Sequence, residues 1–117
     1  MLGFRVWDIE TKEFTSWRNL FLGHRGAIYE YSLSGDFYQL DSKRYITMQY
    51  THLGDAMNRE ICEGDILNVG YLYLVKDVKD FLIWAGASGR ISPHGTFDAE
   101  IIGNSMENPE LLEKVKC

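Results

Sequence analysis

Three carboxylates stand within six residues at Glu60, Glu63 and Asp65, the kind of oxygen cluster that a hard divalent cation or an acid–base pair uses. The ligand spacing of a calcium loop is missing. A turn built on Glu63, Gly64 and Asp65 explains the same residues: glycine takes a left-handed backbone while a neighbouring carboxylate accepts hydrogen bonds from nearby N–H groups as a strand begins. Their expected role is structural rather than chemical. His24, His52 and His94 have no ligand spacing to one another or to Cys62 and Cys117, and the two cysteines read as unpaired, reduced thiols. No Gly-x-Ser-x-Gly elbow is present. Gly86-Ala87-Ser88-Gly89-Arg90 has glycines like a phosphate loop but neither the Walker spacing nor its Lys. The expectation is therefore no catalytic residue, no metal, no organic cofactor and no enzyme activity.

The aromatic side chains offer a different chemistry, that of recognition. Three Trp, seven Tyr and six Phe are found in 117 residues, a richness that suits strands. Strand alternation sends some of these rings outward, and Tyr29, Tyr31 and Tyr45 are the expected interaction surface, for a second copy of the chain or for a host or phage protein. Stacking of single-stranded nucleic acid on the same aromatic face is the alternative. The formal charge of −5, split −1 over residues 1–58 and −4 over 59–117, disfavours duplex DNA, whose binding draws on clustered cations. No apolar run reaches the ~18 residues of a membrane helix, and Met1 to Asp8 lack a signal peptide's positive start and long apolar stretch. A cytoplasmic protein without membrane contact is expected.

These side chains need a frame, and the apolar pattern predicts a mostly β one. Leu2 to Ile9 reads as a strand turning into a short second strand at Phe14. Ser16 to Arg25 reads as a helical turn or a packed loop. Gly26 to Leu33 alternates with period two, and Ser34-Gly35-Asp36 then supplies a turn towards Phe37 to Leu40, so that a hairpin is expected. Tyr45 to Tyr50 is a further strand. Beyond the Glu63-Gly64-Asp65 turn, Tyr71 to Val78 and Phe81 to Trp84 read as strands at hairpin spacing around Lys79-Asp80. Gly86 to Gly95 reads as a loop and Thr96 to Ile102 as a strand. Asn108, Pro109 and Glu110 carry the grammar of a helix start. The chain length predicts one domain, residues 1–50 holding the opening hairpin and strands, and 51–117 the turn, meander and helix. The fold class expected is mainly β, a small, partly open barrel or meander of SH3-like flavour with a short C-terminal helix.

Taken in order, Phe4-Arg5-Val6-Trp7-Asp8, then Gln49-Tyr50-Thr51 with Glu60-Ile61-Cys62-Glu63-Gly64-Asp65-Ile66, and finally Ile101-Ile102-Gly103-Asn104 with Glu107-Asn108-Pro109-Glu110-Leu111-Leu112 resemble a YopX-like protein. The resemblance implies a small β-rich protein of bacteriophages and prophages, at work in the bacterial host cell as an accessory protein with no established biochemical activity. Three positions depart from the pattern. His52 stands where Gly is common, Met57-Asn58 replaces an Asn-Gly turn, and Cys62 replaces an aromatic residue. Asn tolerates a left-handed backbone and preserves its turn at small cost, whereas His does so less readily.

Overall fold

Asp8 closes the first turn of the chain. Its Oδ1 accepts from the N–H groups of Glu10 and Thr11 at 3.0 and 3.4 Å, and its carbonyl accepts from Lys12 N at 2.8 Å, so the chain reverses between β1 (Phe4–Asp8) and β2 (Glu13–Phe14). The pair is antiparallel with Trp7 opposite Phe14, their rings edge to face at 4.9 Å. The opening hairpin is as expected. The computed structural model describes residues 3–15, 20–23, 27–31 and 34–115, and its fold is mainly β, with 44% of the described residues in strands and 16% in helices, a strongly curled half-barrel sheet and a short helix. Two compact units divide the chain, Met1–Met48 and Gln49–Cys117.

In the first unit, β3 (Leu20–Leu22), β4 (Ile28–Tyr31) and β5 (Phe37–Gln39) form an antiparallel sheet with β4 in the middle. The hairpin of β4 and β5 is the expected one, with Tyr31 opposite Phe37 and Tyr29 opposite Gln39 across the turn. A strand, not a helical turn, occupies Leu20 to Leu22, because it pairs with β4 through Phe21 opposite Tyr29; 16–19 and 24–25 of the expected segment lie outside the described residues. Leu20 and Ile28 turn to one side and join Phe4, Val6 and Tyr45 in a buried cluster, with Leu22 and Leu40 packed against it. β1 lies between β2 and β6 (Tyr45–Gly54).

In the second unit, β6 pairs antiparallel with β7 (Glu60–Cys62) through Tyr50 opposite Cys62 and Gly54 opposite Glu60, with a register irregularity in between. Thr51 serves that irregularity: its hydroxyl donates to the Ile61 carbonyl at 2.8 Å and accepts from Leu53 N at 3.2 Å. His52 takes the left-handed backbone there, φ 66°, and Asn58 does the same at φ 61° in the following turn. β8 (Asp65–Asn68) is flanked by β9 (Leu72–Leu74) and β10 (Glu100–Asn104). The last strand thus begins four residues later than Thr96.

The strand expected at Phe81 to Trp84 is a helix, α1 (Val78–Ser88). Phe81, Trp84 and Ala85 recur at helical spacing, and Phe81 and Ala85 are fully buried with Ile61, Leu67, Val75 and Phe97 while Trp84 packs against them. Asp77 caps the start by accepting from Asp80 N at 2.8 Å, and Gly89 ends it in a left-handed backbone. Burial of a ring such as Phe81 contributes roughly 2–3 kcal/mol, which overrides the weak helix preference of Val, Phe, Ile and Trp. The terminal helix begins at Pro109 as expected but is a 3-10 helix, Pro109–Lys114, and the Asn108 side chain does not cap it. Its amide oxygen accepts from Asn104 N at 3.2 Å instead. No described helix is long and apolar enough to cross a membrane.

Candidate functional site

The acidic cluster is dispersed into structural work. Glu63 Oε1 accepts from Gln49 N at 2.7 Å and Oε2 from Val78 N at 3.2 Å, so this carboxylate ties β6 to the first residue of α1, where the helix dipole favours a negative charge. Asp65, buried, accepts from Cys62 N at 2.8 Å. Gly64 sits between them at φ 88°; its N–H donates to the Val75 carbonyl and its carbonyl accepts from Ser105 N, both at 2.7 Å. Glu60 faces His52, Oε1 to Nδ1 3.6 Å. Among the described residues no group of three or more His, Cys, Asp or Glu side chains could hold a metal ion. Cys62 is buried, His94 is exposed, and His24 and Cys117 lie outside the described residues.

Two further carboxylates are held ionised by hydrogen bonds. Arg44 grips Asp8 with Nε and Nη2 at 3.0 and 2.9 Å, and this pairing, with the turn N–H groups, lowers the Asp8 pKa from 3.8 to about 2 against the opposing effect of desolvation. Burial pushes the Asp55 pKa up, but the N–H groups of Ile101 and Arg59 and the Arg59 guanidinium outweigh it, leaving the pKa below its ordinary value. Asp55 thereby fastens the β6–β7 turn to β10 through Ile101 N at 3.0 Å. Both oxygens of Glu63, Asp8 and Asp55 are answered by this chain's own donors, an arrangement that serves folding.

The recognition chemistry lies on the sheet of β3, β4 and β5. With Leu20 and Ile28 committed to the core, alternation sends Phe21, Tyr29, Tyr31 and Phe37 to the opposite side. Phe21 stacks on Tyr29 at 5.5 Å and 18°, Phe37 meets Phe21 edge-on at 5.4 Å, and Tyr31 meets Phe37 at 5.1 Å. The rings remain in solvent: Phe21 is 39%, Tyr31 45% and Phe37 61% exposed. Gly23 is a condition of this packing, since a Cβ there would collide with the Tyr29 ring. β5 is exposed along its length and stands at the sheet edge. From Leu20 to Ser42 the described residues carry Glu30, Asp36 and Asp41 and no Lys or Arg; Arg25 lies outside them.

Of the Tyr residues expected on an interaction surface, Tyr29 and Tyr31 belong to this face and Tyr45 does not. Tyr45 is 9% exposed, packed in the core of the first unit with the Arg44 guanidinium 5.1 Å from its ring, and desolvation raises its pKa. Tyr45 and Met48, three residues apart on β6, are both buried, so this strand does not keep a simple two-residue period. Phe37 belongs to the face as well, because the Ser34-Gly35-Asp36 turn places it opposite Tyr31. Tyr73 and Trp84, stacked at 3.9 Å and 8°, pack against the core of the second unit.

No curated protein and no solved structure matches the chain. A family model described as YopX protein matches residues 3–113, spanning the opening hairpin, the Glu63-Gly64-Asp65 turn and the terminal 3-10 helix. The chain belongs to the YopX protein family.

Proposed function

We propose that the protein is a non-enzymatic accessory protein of a bacteriophage or prophage that works in the host cytoplasm by docking another protein on the aromatic face of β3, β4 and β5. The carrying observation is that face itself, a contiguous set of rings left in water on an edge-bearing sheet. A face of this kind costs solubility unless it is covered for part of the protein's life, and exposed Tyr and Phe are what protein interfaces use. The open edge of β5 adds main-chain donors and acceptors for a partner strand. A second copy of the chain is one such partner.

Stacked rings also suit bases of single-stranded nucleic acid, and the Phe21–Tyr29 stack is the observation that favours this reading. The carboxylates on the described part of the sheet weigh against it, because a phosphate backbone is repelled by them. The test is affinity recovery from bacterial host extract with both proteins and nucleic acids identified, beside salt-titrated anisotropy with single-stranded and duplex oligonucleotides. The docking reading predicts a defined protein and no oligonucleotide binding near physiological salt. Sub-micromolar oligonucleotide binding with a steep salt slope overturns it in favour of the alternative.

A further inference from the structure

Hydrogen-bond alternation decides which main-chain groups of β5 face away from its sheet. Leu40 N donates to the Ile28 carbonyl at 2.8 Å, and the register sets Glu30 opposite Tyr38 and Tyr29 opposite Gln39. Hydrogen-bonded and non-hydrogen-bonded positions alternate along an antiparallel pair. Tyr38 and Leu40 therefore turn their N–H and carbonyl groups towards β4, and Phe37 and Gln39 point theirs off the edge. The far side of β4 agrees. Gly23 N donates to the Ala27 carbonyl at 2.7 Å, which directs Ala27 and Tyr29 to β3 and leaves Ile28 and Glu30 for β5.

Sheet edges are ordinarily guarded against strand pairing by charge, proline or a bulge. β10 has a bulge between Ile101 and Gly103, β2 carries Glu13, and β9 meets Val115 through a bridge at Leu72. β5 has none of these devices: it reads Phe37-Tyr38-Gln39 with an unbroken register. Its charges stand at the ends, as the exposed Asp36 and Asp41. Lys43 is the next cation along the chain, and Arg44 beyond it is held by Asp8 at 2.9 Å and Glu10 at 2.8 Å.

We propose that the docked partner adds an extended segment to β5, antiparallel to it, with Lys or Arg at the segment's ends to meet Asp36 and Asp41. This inference rests on the docking reading and names its occupant. Main-chain bonds form with Phe37 and Gln39, and the segment's side chains opposite those two residues lie on the aromatic face, which makes them apolar. Charge decides against a second copy. Symmetric pairing about Tyr38 would set Phe37 opposite Gln39 of the other copy and bring Asp36 of each beside Leu40 and Asp41 of the other, where like charges repel.

The probe is the peptide acetyl-Lys-Thr-Val-Thr-Val-Lys-amide, titrated into the full chain and followed by two-dimensional NMR. Saturable shifts centred on Phe37 to Gln39 are expected, with a dissociation constant on the order of 1 mM for so short a segment. The counterpart with Glu at both ends is expected to bind about tenfold more weakly at low salt. Methylating both Val nitrogens of the peptide, which removes the donors that face β5, is expected to abolish the shifts. Gln39→Pro deletes an edge N–H without touching the β4–β5 ladder and is expected to abolish them as well, while Gln39→Val retains them. The methylated peptide keeps the test intact if the proline variant does not fold. Absence of saturable shifts, equal binding of the Glu peptide, or binding indifferent to methylation overturns the proposal, and a dimer in light scattering that Gln39→Pro dissolves overturns it in favour of a second copy. In host extract, a partner lost by Phe37→Ser but kept by a folded Gln39→Pro protein overturns the edge pairing and leaves the docking reading standing. Recovery of no partner by the parent overturns the docking reading itself.

Discussion

Replacing His52 by Gly is expected to make the protein more stable, although it deletes a side chain and its contact with Glu60. His52 holds φ at 66° at the point where the β6–β7 register shifts, and its side chain is 82% exposed, so little packing is lost with it. A left-handed backbone costs a residue with a Cβ about 1–2 kcal/mol. Glycine avoids that cost but gives up roughly 0.5–1 kcal/mol through its freer unfolded chain, and the exposed pair with Glu60 at 3.6 Å contributes at most a few tenths. The balance favours His52→Gly by about 0.5 kcal/mol, a rise in Tm of roughly 2–3 °C. His52→Val, with its branched Cβ, is expected to fall about 1–2 kcal/mol below the parent. Urea unfolding monitored by Trp fluorescence, repeated in high salt to silence the Glu60 pair, separates backbone from charge. A His52→Gly protein less stable than the parent, or a His52→Val protein equal to it, refutes the reasoning.

Gly64→Val is expected to cost about 2–3 kcal/mol, because the turn at φ 88° also carries the hydrogen bonds to Val75 and Ser105; thermal unfolding identical to the parent would contradict it. Asp8, with its pKa lowered from 3.8 to about 2 by Arg44 and the turn N–H groups, binds fewer protons folded than unfolded. Its contribution is therefore complete above about pH 4 and lost as pH falls through 2, and Asp8→Asn should flatten that part of an acid-unfolding curve. Gly23→Ala is expected to displace the Tyr29 ring and weaken partner binding with less than about 1 kcal/mol lost in stability, since the affected ring lies at the sheet surface; recovery of partner at the parent's level would contradict it.

Much of the frame was legible because local signals and tertiary pairing agree. The Asp8 turn, the Ser34-Gly35-Asp36 turn and the Pro109 helix start are chain-local, and the elements beside them fall where the pattern puts them. Helix α1 was misread because Val78, Phe81, Ile83 and Trp84 have strand-like composition; its 81, 84, 85 spacing and the Asp77 and Gly89 caps were present and are decisive once the helix packs on Ile61 and Phe97. For the aromatic face, alternation separated Tyr29 and Tyr31 from Ile28 but could not say which set met the core. Tyr45 shows the same ambiguity resolved the other way. Phe37 became visible only through cross-strand register.

Docking on the aromatic face is tested most directly by comparing the parent with Phe37→Ser in affinity recovery from host extract, with light scattering at micromolar concentration for self-association. Phe37 is 61% exposed and joins Phe21 to Tyr31, so its loss breaks the face while unfolding by urea should stay within about 1 kcal/mol of the parent. The predicted result is a protein partner, or a second copy of the chain, bound by the parent and lost by a Phe37→Ser protein that remains folded. The contradicting result is the same set of bound proteins, in the same amounts, with both.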